Sequence, residues 1–209
     1  MAVIILAGGQ SSRMGTDKAW LPIDGTSILE SLVERFGREM GRVIVVVRPD
    51  QEQPLPLPAG GPEIGQLMIV TDTYCGVGPL GGLQAGLAAS PDDENFALAC
   101  DLAFAEPRLA RWVLSHLGDY DAAVPMLARG PEPLFAAYSR SSLAVIEASI
   151  AEGRLRLRDA LERLDVCYIS EDQIRGLDPG LRSFHNINTP EDYRDALRAV
   201  RSSQRRMSS

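Results

Sequence analysis

The side chains best suited to chemistry fall in four places along the chain. The first is the run Gly8-Gly9-Gln10-Ser11-Ser12-Arg13-Met14-Gly15-Thr16-Asp17-Lys18, where two cations, Arg13 and Lys18, stand among glycines. Glycine lets backbone N–H groups approach an anion because no Cβ intervenes, and the cations add fixed positive charge, so the run suits a nucleotide's phosphates. Its spacing is neither the G-x-x-x-x-G-K-[ST] of a Walker loop nor the G-x-G-x-x-G of a dinucleotide-binding turn. The second place is Asp101, directly after the apolar run Phe96-Ala97-Leu98-Ala99-Cys100. A carboxylate facing a phosphate loop makes electrostatic sense where a divalent cation bridges the two; the other reading is a cap on the following turn.

Asp72 is the third, after the apolar run Leu67–Val70 and beside the turn Gly76-Val77-Gly78-Pro79-Leu80-Gly81-Gly82. It either holds a ribose or base group or serves the turn. Gly81 and Gly82 either bring a flat base close to backbone or let a helix pack closely on a sheet. The fourth is Asn186-Ile187-Asn188. In extended chain both amides face one way, toward a phosphate or a metal-bound oxygen, or else they do ordinary loop and cap chemistry. His116, His185, Trp20 and Trp112 read as structural or surface residues, and Arg154, Arg156 and Arg158 as a solvated helix face.

The elements that must position these groups alternate between strand and helix patterns. Ala2–Leu6 is an apolar run of strand length that empties into the glycine-rich stretch. Ser27 and Glu30 have the spacing of a capping box, and Ile28, Leu29, Leu32, Val33, Phe36 and Met40 make one face of a helix that Gly41 stops. Arg42–Val47 is apolar enough for a central parallel strand. Residues 51–65 hold four prolines and three glycines, a surface loop that reads as a lid or an insertion. Strands at Leu67–Val70, Phe96–Cys100 and Asp121–Pro125 alternate with helices carrying Leu80, Leu83 and Leu87 and spanning Pro107–His116. Leu134–Tyr138 is expected as a short strand, and Ser142–Ala151 and Leu157–Leu164 as helices. Val166–Ile169 is a further strand. Thr189-Pro190-Glu191-Asp192 opens a last helix. This alternation predicts an α/β fold, a mostly parallel sheet covered by helices on both faces. Asp101 then lies at the sheet's carboxyl edge, where such sheets bind ligands.

Composition narrows the function classes. At 209 residues the chain is expected to be one domain over 1–200 with a disordered basic tail over 201–209. A net charge of −7 argues against nucleic acid as a partner, so an anion site must be a local concentration of cations. Cys75, Cys100 and Cys167 are far apart and lack C-x-x-C spacing, which points to free thiols in a reduced compartment. The lack of a basic segment before a short apolar run, and of any stretch near 20 apolar residues, predicts a cytoplasmic protein with no membrane partner.

Several of these stretches resemble one family. The run LAGGQSSRMGTDKAWLPIDG is similar to the signature of the MobA-type molybdenum cofactor guanylyltransferases, and GPLGGLQAGL at 78–87, ACDLAF at 99–104, EPLFAAY at 132–138 and NINTPEDY at 186–193 follow in the family's order. The resemblance implies a Rossmann-like three-layer sandwich of nucleotidyltransferase type that transfers GMP from GTP to the terminal phosphate of molybdopterin or the molybdenum cofactor. It implies that Leu6, Ala7 and Gly8 contact guanine and ribose, that Gly9, Arg13 and Lys18 hold the triphosphate, and that Asp72 and Gly82 lie along the nucleotide. Asp101 would bind Mg²⁺, and Asn186 and Asn188 would approach the metal or the pterin acceptor. Molybdoenzyme apoproteins and other cofactor-biosynthesis proteins are the implied partners. Where relatives often carry an Asn touching the nucleotide, this chain has Arg48-Pro49-Asp50. The alternatives are a pterin cytidylyltransferase, a sugar-1-phosphate nucleotidyltransferase, and a nucleotide-binding regulatory or cofactor-insertion module without catalysis. Gly9 in LAGG fits guanine users, whereas pterin cytidylyltransferases tend to LAAG.

Overall fold

The computed structural model describes residues 1–8, 18–50, 55, 66–74 and 76–207, with side chains described through residue 200. Ala2–Leu6 (β1) lies inside an eight-stranded sheet. It is apolar throughout because both its faces are covered: Val3 and Ile5 meet one helical layer, Ala2 and Ile4 the other. Pro22–Ile23 (β2) and Thr26–Ser27 (β3) then form a separate antiparallel hairpin. Its turn residues, Asp24 and Gly25, have φ of 51° and 88°, the backbone a two-residue hairpin turn requires. The first helix, Ile28–Met40 (α1), starts on the Ser27–Glu30 capping box and stops at Gly41, as its sequence predicts.

Arg42–Val47 (β4), Gln66–Thr71 (β5), Pro79–Ala89 (α2), Glu94–Ala99 (β6) and Pro107–Leu114 (α3) follow. The second half holds Ala122–Leu127 (β7), Gly130–Pro131 (β8), Phe135–Ser139 (β9), Ser142–Ala151 (α4), Leu157–Leu161 (α5), Val166–Ser170 (β10), Glu171–Arg175 (α6) and Pro190–Met207 (α7). The backbone of α7 is helical to Met207, past the point where composition suggests disorder. A capped start with acids in its first turn lets the helix propagate through Arg, Ser and Gln, which a helix tolerates.

The sheet order is β10-β7-β9-β6-β1-β4-β5, with β8 paired to β7. From β1 the chain builds outward through β4 to β5, then returns to the opposite side of β1 as β6, all in parallel. Strand order therefore reverses between β1 and β6, and their carboxyl ends open a crevice there. β9 is antiparallel and sits inside the sheet, between β6 and β7. Helices α1 and α3 pack on one face and α2, α4 and α5 on the other, giving the three-layer α/β sandwich expected from the sequence.

Candidate active site

Lys18 reaches the crevice from a short 3₁₀ turn, Lys18–Trp20. The backbone behind it is tied down. The Leu21 N–H donates to the Lys18 carbonyl (3.1 Å) and the Ile28 N–H to the Leu21 carbonyl (3.0 Å). The Tyr193 hydroxyl, on α7, donates to the Pro22 carbonyl at 2.5 Å. The β2–β3 hairpin thus straps the lysine's turn to both α1 and α7.

Asp101 leaves the carboxyl end of β6 in a turn held from three directions. The Cys100 N–H donates to the Leu6 carbonyl (3.1 Å), and the Ile187 N–H donates to the Asp101 main-chain carbonyl (2.9 Å). From α1, Arg35 sends Nη1 to the Ala105 carbonyl (2.8 Å) and Nη2 to the Ala103 carbonyl (2.6 Å). Burial pushes the Arg35 guanidinium pKa down and the Glu106 charge opposes this. The guanidinium's fork holds two carbonyls of the turn at once.

Asn188 completes the cluster. The Lys18 Nζ donates to its Oδ1 at 2.5 Å and lies 3.4 Å from Asp101 Oδ2. Asp192 orients the asparagine: its Oδ2 accepts the N–H groups of Asn188 (2.9 Å) and Thr189 (2.8 Å), while its own N–H donates to Thr189 Oγ1 (3.1 Å). The Asn188 N–H hydrogen bond holds the Asp192 carboxyl below its ordinary pKa, with contributions from Thr189 and the Lys18 charge. Asn186 and Asn188 are both exposed on either side of buried Ile187, the alternation of an extended chain.

These groups stand at one end of a cleft of about 750 Å³, lined by Leu6, Gly8, Lys18, Arg48, Asp50, Asp72, Tyr74, Gly82, Asp101 and Leu134, among others. That volume suits a bound nucleotide. Asp72 lies at the far end, after β5. Its N–H donates to the Val47 carbonyl (2.8 Å) and its Oδ1 accepts the Tyr74 N–H (2.8 Å). Burial raises the Asp72 carboxyl above its ordinary pKa, and the Tyr74 hydrogen bond lowers it again in part. A Cβ on Gly82 would stand 2.7 Å from Leu6 Cδ2, and one on Gly86 2.2 Å from Ile4 Cγ2. Both glycines therefore set α2 close against β1, and Gly82 lines the cleft as well.

The structure thus brings Lys18, Asp101 and Asn188 together, with Leu6, Gly8, Asp72 and Gly82 along the same cleft. The Ala7 side chain is buried in the α1 layer and its N–H donates to the Val46 carbonyl (2.9 Å), because strand alternation turns it away from the cleft. Gly9, Arg13 and Cys75 lie outside the described residues, as does the 51–65 loop apart from Leu55. Arg48 and Asp50, noted in the sequence only as standing where relatives carry an Asn, line the cleft, while Arg35, Tyr74 and Leu134 went unnoticed; only a position beside a strand end, or one helical face from the core, could have signalled them.

Among the described residues no three His, Cys, Asp or Glu side chains cluster as metal ligands. Asp101, a single carboxylate at the Lys18 end of a nucleotide-sized cleft, fits Mg²⁺, which keeps several waters and takes phosphate oxygens, and does not fit a closed structural zinc site. No described helix is long and apolar enough to cross a membrane.

The family described as the MobA-like NTP transferase domain matches residues 3–167. A probable molybdenum cofactor guanylyltransferase of Methanosarcina acetivorans is 36% identical over 205 residues, covering 95% of this chain and 91% of that protein. The molybdenum cofactor guanylyltransferase of Desulfosudis oleivorans is 33% identical over 200 residues, covering 95% of each. Among solved structures, molybdopterin-guanine dinucleotide biosynthesis protein A from Archaeoglobus fulgidus superposes with a TM-score of 0.79 at 26% identity, covering 97% of this chain and 100% of that one. With the fold, the crevice and these similarities in agreement, the chain belongs to the MobA-like NTP transferase family and is a nucleotidyltransferase.

Proposed function

We propose that the protein transfers GMP from GTP to the terminal phosphate of molybdopterin, or of its molybdenum-bearing form, in the cytoplasm. The observation that carries this reading is the meeting of Lys18, Asp101 and Asn188 at the point where strand order reverses, beside a nucleotide-sized cleft. The names of relatives that match nearly the whole chain support the donor and acceptor.

An oxygen of the acceptor phosphate attacks the α-phosphorus of GTP. A new P–O bond forms as the bond from the α-phosphorus to the bridging oxygen breaks, and that oxygen leaves with its electron pair on pyrophosphate. The nucleophile is already an anion at neutral pH, so no general base is needed. Catalysis reduces to placement and charge neutralisation. Lys18, steadied by Asn188, supplies a fixed ammonium where charge accumulates. Asp101 is the residue that would hold Mg²⁺, and a bound Mg²⁺ would neutralise phosphate charge and align the reacting oxygens. The product, a guanine dinucleotide form of the cofactor, then passes to a molybdoenzyme apoprotein.

Pyrophosphate release from GTP plus molybdopterin tests the reading, with Lys18→Ala as the control. Release with CTP in preference to GTP would make the protein a pterin cytidylyltransferase, and nucleotide binding without release would make it a binding module.

A further inference from the structure

The cleft contains a second pair of opposite charges that the transfer step does not use. Arg48 and Asp50 follow β4, and both line the cleft. The Arg48 Nε lies 3.4 Å from Asp50 Oδ1. A Cβ on Gly8 would stand 3.0 Å from Arg48 Cγ, so the arginine stem lies against the backbone that leaves β1. A side chain at position 8 would crowd the arginine stem there.

Place and charge argue for what this pair meets. Asp101 follows β6, and Arg48 follows β4 two strands along, about 10 Å away at ordinary strand spacing. The phosphate end is already served by Lys18. The Arg48–Asp50 pair is neutral as a whole, which suits an uncharged polar ring better than a triphosphate. Asp72, the other carboxylate of this end, has Oδ1 turned to the Tyr74 N–H and packed on Gly81. Asp50 is open by contrast, with its side chain 79% exposed.

We infer that Arg48 and Asp50 read the guanine base of the donor nucleotide, Asp50 accepting its N1–H and 2-amino groups and Arg48 donating to O6. A carboxylate only accepts and a guanidinium only donates, so the pair presents an acceptor beside a donor. Guanine presents the matching edge, two adjacent donors beside a carbonyl. Adenine, cytosine and uracil each lack two adjacent donors. Arginine is well suited to the guanine carbonyl for the same geometric reason it reads guanine in DNA.

The inference rests on GTP being the donor, and the experiment separates the two claims. Dissociation constants for GTP, inosine triphosphate (guanine without its 2-amino group) and CTP are measured by calorimetry with Mg²⁺ for wild type, Asp50→Asn and Arg48→Met. Wild type should bind GTP about 10-fold or more tightly than inosine triphosphate. Asp50→Asn should bring that ratio close to one by weakening GTP alone. Arg48→Met should weaken GTP and inosine triphosphate alike while leaving CTP unchanged. If Asp50→Asn keeps the wild-type ratio, or Arg48→Met weakens GTP and CTP by one common factor, the pair does not read the base. If wild type prefers CTP, the donor assignment itself fails and the base reading falls with it.

Discussion

Lys18 and Asn188, 170 residues apart in sequence, meet at 2.5 Å between Nζ and Oδ1. The pair fastens the 3₁₀ turn Lys18–Trp20 to the loop that leads into α7. The asparagine carbonyl holds the ammonium without cancelling its charge. Lys18→Ala should therefore lower kcat by about 10²-fold or more, while Tm stays within about 2–4 °C of wild type, the equivalent of 1 kcal/mol for a chain of this size. Turnover within a few-fold of wild type would remove Lys18 from the reaction.

Asp101→Ala should reduce pyrophosphate release to near background and abolish Mn²⁺ binding followed by electron paramagnetic resonance. The fold should survive, because Ile187 bonds to the Asp101 main-chain carbonyl rather than to its carboxylate. Near-normal rates with Mg²⁺ would end the metal role.

Asp192 should show its work in acid. Its pKa is depressed in the fold, so the stability it contributes is complete above the ordinary carboxylate range and is lost as pH falls through the folded value. Asp192→Ala should cost about 1–3 kcal/mol at pH 7 through the two lost hydrogen bonds from the Asn188 and Thr189 N–H groups. The gap in Tm between wild type and variant should shrink below about pH 4. A gap independent of pH would mean that charge is not what matters there.

Asp72 has the opposite sign. Burial raises its folded pKa, so stability declines as pH rises from the unfolded value through the folded one. Asp72→Asn keeps an acceptor for the Tyr74 N–H and removes the partly buried charge. The variant should melt higher than wild type at pH 7 and not at pH 3, as read by thermal unfolding of the protein without nucleotide.

Gly86→Ala tests the close approach of α2 to β1. The added methyl would sit 2.2 Å from Ile4 Cγ2, an overpacking strain of about 1–3 kcal/mol. Alanine's better helix propensity, about 1 kcal/mol, offsets part of it. A net fall of up to about 8 °C in Tm is expected, and a higher Tm would show that the sheet yields.

Much of this architecture was legible in the chain. Unbroken apolar runs of strand length marked β1 and β4, and a period-3.6 pattern marked α1, almost to the residue, because both faces of those strands and one face of that helix are buried. Asp101 stood out because an acid directly after an apolar run has few structural excuses. The β2–β3 hairpin was missed although its Asp24-Gly25 pair is a strong turn signal. Two-residue strands carry no periodicity, and the hairpin's value lies in a tertiary contact, Tyr193 to Pro22, that no local pattern encodes. Arg35 was hidden for the same reason. Within α1 it reads as one more charged residue, and only the folded turn after Asp101 supplies the carbonyls that occupy it.

The reversed direction of β9 has a consequence for how the cleft is furnished. Every parallel strand delivers to this edge the residues that follow it. β9 runs the other way, so the edge receives the residues that precede it: Leu134 lines the cleft, and its carbonyl accepts the Ala99 N–H at 3.0 Å. The wall beside Asp101 is therefore built by an arriving segment rather than a departing one. Lengthening the chain before β9 would move that wall, while lengthening it after β9 would be felt only at the opposite rim of the sheet.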